Sequence, residues 1–242
     1  MCCADDPVAQ RLATRRSAIR TYGFAAGADY RIEDEVVDAR GCRFTLVVDD
    51  VTRTAIAVPA GVKASTNAAG AVAIASELGV DMESAVRALA GFGGVARRFQ
   101  YRGERDGVTF IDDYAHLPTE VGAAIAAARQ GPWRRVVVVF QPHRYSRTAS
   151  IGAHFADVFT DADTLVLTDV YPAGETPIPG VSGRVILRAV LDRHPALSVA
   201  YLPRNADLAT IPQRYARAGD LVLTLGAGDL TAMPDVWLGA RA

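Results

Sequence analysis

The chain has 242 residues, half of them hydrophobic, and a net charge of −1. That length allows one large domain or two modest ones with ample core, and a charge so near zero leaves no electrostatic footprint for nucleic acid or an anionic membrane. No apolar run is long enough to span a bilayer, the first residues lack the basic start and apolar run of a secretory signal, and Cys2, Cys3 and Cys42 form neither a metal-ligand spacing nor a disulfide framework, so the expectation is a soluble cytoplasmic protein.

In chain order, Cys2 to Pro7 reads as the tail of a strand running into a turn, with Val8 to Arg15 as a short helix. A start in the middle of a structural unit suggests a missing upstream portion. Ile19 to Phe24, Tyr30 to Val36, Arg43 to Val48 and Thr54 to Val58 are short strands punctuated by Gly and Asp, expected to form a small antiparallel patch. Asn67 to Leu78 is an alanine-rich helix that Gly79 stops. Asp81 then caps a second helix running to Leu89, with Val86 and Leu89 on its buried face.

Gly91-Phe92-Gly93-Gly94 is the candidate boundary, dividing the chain into 1–94 and 95–242, because glycines there remove local stiffness. Beyond it strands and helices alternate. Strands are expected at 108–112, 136–140, 164–170, 197–202 and 221–225, and helices near 118–129, 149–159, 182–193, 205–218 and 229–239. The continuous apolar run Val136 to Phe140 suits a strand covered on both faces. The fold class is therefore α/β, with parallel βαβ units wound doubly around one sheet.

Four polar corners follow these strands. In the first, Asp112, Asp113, Tyr114 and His116 precede a helix that opens on Pro118, a residue suited to the first helical position. The arrangement sets polar groups at the carboxyl end of a parallel sheet, where ligands bind; an Asp-rich turn with an incidental histidine is the alternative. The second, Gln141 to Thr148, carries Arg144 and Arg147 at a helix entry. Arginine forks suit carboxylates and phosphates, and positive charge there opposes the helix dipole unless an anion sits between. The third corner is Asp169 to Glu175, leading into a Gly/Pro-rich loop, and the fourth is Leu225-Gly226-Ala227-Gly228-Asp229, a weak Gly-x-Gly signal. Arg97 and Arg98, just past the glycines, could meet phosphate or could be solvated. His154 and His194 read as structural or surface groups, and no nucleophile motif or metal-site spacing is present.

Taken together, Gly94-Val95-Ala96-Arg97-Arg98-Phe99, Asp112 to Glu120, Phe140 to Thr148 and Asp169 to Glu175 resemble the Mur ligases. The resemblance is strong from 91 to 229 and looser before. It implies a Rossmann-like C-terminal domain over 95–242, preceded over 1–94 by an incomplete α/β central, ATP-binding domain. It also implies a ligase in which ATP, with Mg2+, phosphorylates a carboxylate and an amine then attacks the acyl phosphate. Arg98 would reach the ATP phosphates, Asp113 would contact nucleotide and help fix closure, and His116 would join them in the catalytic set. Tyr114, His116, Arg144 and Arg147 would line the amino-acid and acyl-phosphate pocket, and Asn67 matches an adenine-side asparagine. The partners implied by the Gln141–Thr148 corner are L-alanine and UDP-N-acetylmuramate. Against the family pattern, no Gly-rich loop ending Gly-Lys-Thr is present, the only lysine being Lys63, and Leu117 stands where a second histidine is usual. Such a chain is not expected to turn over alone. It reads as part of a ligase, completed by a missing N-terminal portion or a companion chain, or as a non-catalytic binding or regulatory module.

Overall fold

The computed structural model describes residues 1–13, 19–37, 41–59, 64–203 and 206–239; Lys63 and the end of the helix expected over Val8 to Arg15 lie outside the described residues. The chain divides into two compact units, Met1–Gly94 and Val95–Ala242.

The first unit runs β1 (Cys2–Cys3), α1 (Pro7–Ala13), β2 (Thr21–Gly23), β3 (Tyr30–Val37), β4 (Gly41–Val48), β5 (Thr52–Pro59), α2 (Ala64–Glu77) and α3 (Met82–Ala90). Among the described residues its sheet has the order β1-β2-β3-β4-β5. The expected antiparallel patch holds for β3, β4 and β5 but not for β2, which pairs in parallel with β3 and, on its other side, with β1. Tyr30, Ile32, Phe44, Leu46 and Ile56 alternate inward, as period-two patterning requires, and pack on the small residues Ala68, Ala69, Val72 and Ala73 of α2. Asp81 accepts a hydrogen bond from the Ser84 N–H at the start of α3 (3.0 Å), and Val86 and Leu89 pack on the core partly buried beside the buried Ala85. Arg20 ties three segments together, reaching Asp29 (3.1 Å), Asp49 (2.9 Å) and Glu77 (3.1 Å).

The second unit runs β6 (Gln100–Arg105), β7 (Val108–Asp113), α4 (Pro118–Arg129), β8 (Val136–Phe140), α5 (Tyr145–Ile151), β9 (Thr164–Thr168), α6 (Arg184–Arg193), β10 (Val199–Leu202), α7 (Ile211–Tyr215), β11 (Leu221–Leu225) and α8 (Met233–Leu238). Its sheet has the order β10-β9-β8-β11-β7-β6, parallel throughout except for β6. Strand order advances from β7 through β8 and β9 to β10 and then returns to β11. Right-handed crossovers consequently put α4, α5 and α6 on one face and α7 and α8 on the other. The buried run of β8 serves both faces: Val137 and Val139 join Ile211, Leu230 and Trp237 on one side, while Phe140 meets Phe155 and Phe159 on the other.

Strand β6 was not anticipated, for a physical reason. It is an antiparallel edge with Gly103 at an irregularity and Tyr101 exposed, so it shows no apolar alternation. The signal it did carry is Asp106-Gly107, both at positive φ (54° and 75°), the two-residue loop of a tight hairpin. The helix expected near 149–159 instead starts at Tyr145 and ends at Ile151, followed by a 3-10 turn over Gly152–Phe155. The helix expected near 205–218 shrinks to α7, which carries Pro212 in its first turn, and that near 229–239 to a 3-10 turn and α8.

Candidate functional site

The carboxyl ends of β7, β8, β9 and β11 carry the polar corners, and these four strands are consecutive in the sheet. The strand order reverses beside β8 and β11, the place where open α/β sheets leave a crevice for ligands.

The two aspartates that end β7 have different tasks. Asp112 is 1% exposed and accepts hydrogen bonds from the Thr224 (2.6 Å) and Thr231 (2.7 Å) hydroxyls. It also lies 3.6 Å from Arg97 Nε and 3.8 Å from Arg102 Nη1, so it binds β7 to β11 and to the turn that follows β11. Asp113, 3% exposed, accepts from the backbone N–H of Phe99 and of Ala115, both at 2.7 Å. Burial pushes its carboxyl above the usual range, against the opposing pull of those two donors and of Arg98. Both oxygens are engaged by its own chain, so Asp113 orders the corner that carries Arg98 and Tyr114.

Arg97 and Arg98 diverge. Arg97, at φ 61°, turns its guanidinium inward over the Tyr114 ring, 4.7 Å from its centroid, and donates to the Gly226 carbonyl at 2.6 Å. Arg97 is thus neither solvated nor open to phosphate, the two readings the sequence left for the pair. Arg98 stays exposed, 5.8 Å from the same ring.

Tyr114 meets His116 edge-on at 5.3 Å, and His116 lies 5.9 Å from His143, whose ring stacks on Tyr171 at 5.6 Å. Glu120, in the first turn of α4, folds back to accept from the His116 and Leu117 N–H groups (3.1 and 3.2 Å). His116 Nδ1 lies 3.0 Å from the Tyr114 carbonyl, which only accepts, so this nitrogen carries hydrogen and a neutral ring keeps Nε2 as an acceptor. Arg147 Nη1 lies 3.2 Å from His143 Nδ1, and a guanidinium only donates; the neutral His143 therefore carries its hydrogen on Nε2. One ring offers an acceptor and its neighbour a donor, a pair suited to a small zwitterion. Sequence reasoning singled out neither His143 nor Tyr171 individually, although both stand in the corners it quoted.

Arg144 begins α5 at φ 73°, with its N–H held by the Tyr171 carbonyl at 2.8 Å and its side chain exposed. The anion that relieves the dipole conflict is internal. Glu175 accepts from the Ser146 N–H (2.9 Å) and hydroxyl (2.6 Å), and the Ser146 hydrogen bonds hold its carboxyl below the usual range. In the fourth corner, Gln141 bridges to Asp229 (2.8 Å), and a Cβ on Gly228 would fall 2.4 Å from Gln141 Oε1 and 2.6 Å from Tyr171. Only glycine lets that turn sit against Tyr171. Asn67 lies exposed in the first turn of α2, in the other unit. His194 pairs with Asp157 on the surface at 2.7 Å.

The His143 imidazole is held below its ordinary value of 6.5, first by burial and then by Arg147. Between the folded and unfolded values the unfolded chain binds more protons, so the stability tied to this ring is full above the unfolded value and erodes as pH falls through it. Ring NMR should show His143 titrating below 6.5, and Arg147→Met should move that midpoint upward. An unmoved midpoint would count against the Arg147 contact.

Among the described residues no group of three or more His, Cys, Asp or Glu side chains is placed to hold a metal ion. The sequence also contains no phosphate loop ending Gly-Lys-Thr. Among the described residues the donor set does not by itself fit Mg2+-ATP. No helix among the described residues is long and apolar enough to cross a membrane.

Comparison with known proteins identifies the class. Residues 97–228 match the model of the Mur ligase, glutamate ligase domain, and the chain belongs to the Mur ligase family. Among individual members, it is 44% identical to a UDP-N-acetylmuramate–L-alanine ligase of Anaeromyxobacter sp. (strain Fw109-5), over 98% of this chain and 52% of that protein. It is 42% identical to the ligase of the same name from Myxococcus xanthus (strain DK1622), over 95% of this chain and 49% of that one. The chain thus spans about half the length of these curated relatives. Among solved structures, UDP-N-acetylmuramate-alanine ligase MurC from Thermotoga maritima superposes with a TM-score of 0.72 at 23% identity, covering 91% of this chain and 47% of that one. The MurF ligase from Thermotoga maritima in complex with ADP gives 0.66 at 16% identity, covering 98% and 51%. At these identities the structural likeness concerns the fold alone.

Proposed function

We propose that this chain is the amino-acid-binding portion of a cytoplasmic, ATP-dependent ligase that joins L-alanine to UDP-N-acetylmuramate through an acyl phosphate. In that reading 1–94 is part of the central domain and 95–242 the C-terminal domain. The observation that carries it is the cluster of Tyr114, His116, His143 and Arg147 at the sheet's carboxyl edge, read beside the 44% identity to a ligase of that name. Arg147, with Arg144 exposed beside it, supplies charge for the L-alanine carboxylate, and the His116 Nε2 acceptor faces the needs of an ammonium or an attacking amine. In that reading Arg98 serves the ATP phosphates, Asp113 serves the nucleotide by ordering the corner that carries Arg98, and Asn67 serves the adenine side. Magnesium and the phosphate cradle come from elsewhere, an N-terminal portion or a companion chain, and without them turnover lacks its main charge stabilisation.

Isothermal titration checks this reading. L-alanine should bind the chain in the millimolar to micromolar range, roughly −4 to −8 kcal/mol, whereas Mg2+-dependent ATP binding should be weak or absent. Tight Mg2+-dependent ATP binding by this chain, or no response to L-alanine, contradicts the proposal. Alanine binding with no turnover after an intact upstream half is supplied favours the alternative, a binding or regulatory module derived from a Mur ligase.

A further inference from the structure

Arg97 is built unlike an ordinary surface arginine. Its backbone sits at φ 61°, a region that costs a non-glycine residue conformational energy. Its N–H is taken by Gln100 Oε1 (2.9 Å) and its carbonyl by the Tyr114 N–H (2.7 Å). Nη2 donates to the carbonyls of Gly226 (2.6 Å) and Gly228 (3.3 Å), so one guanidinium edge grips the turn after β11. Its face covers the Tyr114 ring at 4.7 Å. Nε is buried with no hydrogen-bond partner, 3.6 Å from Asp112 Oδ2. A buried donor left unpaired is unfavourable; a glutamine has no charge to set over the ring, and a lysine has no planar face to lie on it while its edge bonds the carbonyls. The geometry serves the ring. Tyr114 in turn meets His116 edge-on at 5.3 Å, and its carbonyl sets the His116 tautomer.

We propose that Arg97 is a positioning residue, which clamps Tyr114 between the Arg97–Arg98 turn and the Gly226–Gly228 turn and thereby sets the orientation of the His116 imidazole. This rests on the proposed amino-acid site only for its bearing on ligand; the Arg97–Tyr114–His116 coupling stands independently of it.

The test uses the full chain carrying isotope-labelled histidine. His116 ring shifts are followed in wild type, Arg97→Gln, Arg97→Lys, Tyr114→Ala and the Arg97→Gln/Tyr114→Ala double variant, each with a thermal melt. Arg97→Gln is expected to displace the His116 ring signals, Arg97→Lys to restore them only in part, and Arg97→Gln to add nothing once Tyr114 is alanine. L-alanine affinity should fall roughly three- to tenfold in Arg97→Gln, the scale of one lost cation–π contact. His116 signals that stay put while the melt drops, or that shift equally with and without the Tyr114 ring, overturn the proposal. If Arg97→Gln does not fold, Arg97→Lys is read against the same criteria. If wild type does not bind L-alanine, the ligand reading fails while the His116 comparison still decides this one.

Discussion

Asp112→Ala is expected to produce the largest loss of stability of any single substitution at the site, roughly 3–5 kcal/mol, the range for breaking a buried charge network by removing one member. The carboxylate is 1% exposed and holds four groups: the hydroxyls of Thr224 and Thr231 and the nearby Nε of Arg97 and Nη1 of Arg102. Removing it leaves the Thr231 hydroxyl without its acceptor, the Thr224 hydroxyl with only the Ile111 carbonyl at 3.3 Å, and two guanidinium groups without their nearest buried counter-charge, although Arg102 keeps Asp235 at 2.6 Å. For a unit of this size the loss corresponds to roughly 10 °C in the melting midpoint. Asp112→Asn keeps the shape and one accepting oxygen and should cost about half as much or less. Thermal and urea melts of the three proteins measure both numbers. A loss below about 1 kcal/mol for Asp112→Ala would mean that the network contributes nothing beyond packing.

Arg147→Ala is expected to give the largest loss of ligand binding. On the proposed reading the guanidinium meets the L-alanine carboxylate, and a charge-assisted hydrogen bond contributes roughly 1.5–3 kcal/mol, so affinity should fall about ten- to a hundredfold. The same guanidinium donates to His143 Nδ1 at 3.2 Å, which fixes the ring's hydrogen on Nε2, where it can serve the carboxylate too. The variant removes both contributions at once. Arg147→Lys preserves charge but not the fork and should recover only part of the affinity. The melting midpoint should barely change, because the side chain is half-buried and joins no strands. Titration with L-alanine decides the matter: unchanged affinity in Arg147→Ala removes this arginine from the site.

Much of the second unit could be read from local pattern. The all-apolar run Val136 to Phe140 announced a strand covered on both faces, and Pro118 marked the start of α4 within the sequence itself. Edge strand β6 was lost because an exposed, glycine-interrupted strand has no apolar period, although its Asp106-Gly107 turn was there to be used. The start of α5 was misplaced because it depends on Glu175, a residue far along the chain that folds back onto Ser146. In the first unit, alternation found the strands but not their direction. Pairing sense depends on which strand lies alongside, and β2 runs parallel to β3 where a patch of short strands suggested otherwise.

What the sequence determined by itself was the alternation of elements and the positions of polar corners at strand ends, since these follow from side-chain period and turn chemistry acting over a few residues. What only the tertiary structure decided was which neighbour in each polar pair faces which way. Asp112 and Asp113 are adjacent and alike in type, yet one binds strands through threonines 112 and 119 positions away while the other ties down its own corner. Arg97 and Arg98 also part company, inward and outward, in a turn where Arg97 sits at φ 61°. Successive side chains on a strand point to opposite faces, and what waits on each face is supplied by distant segments that no local pattern names.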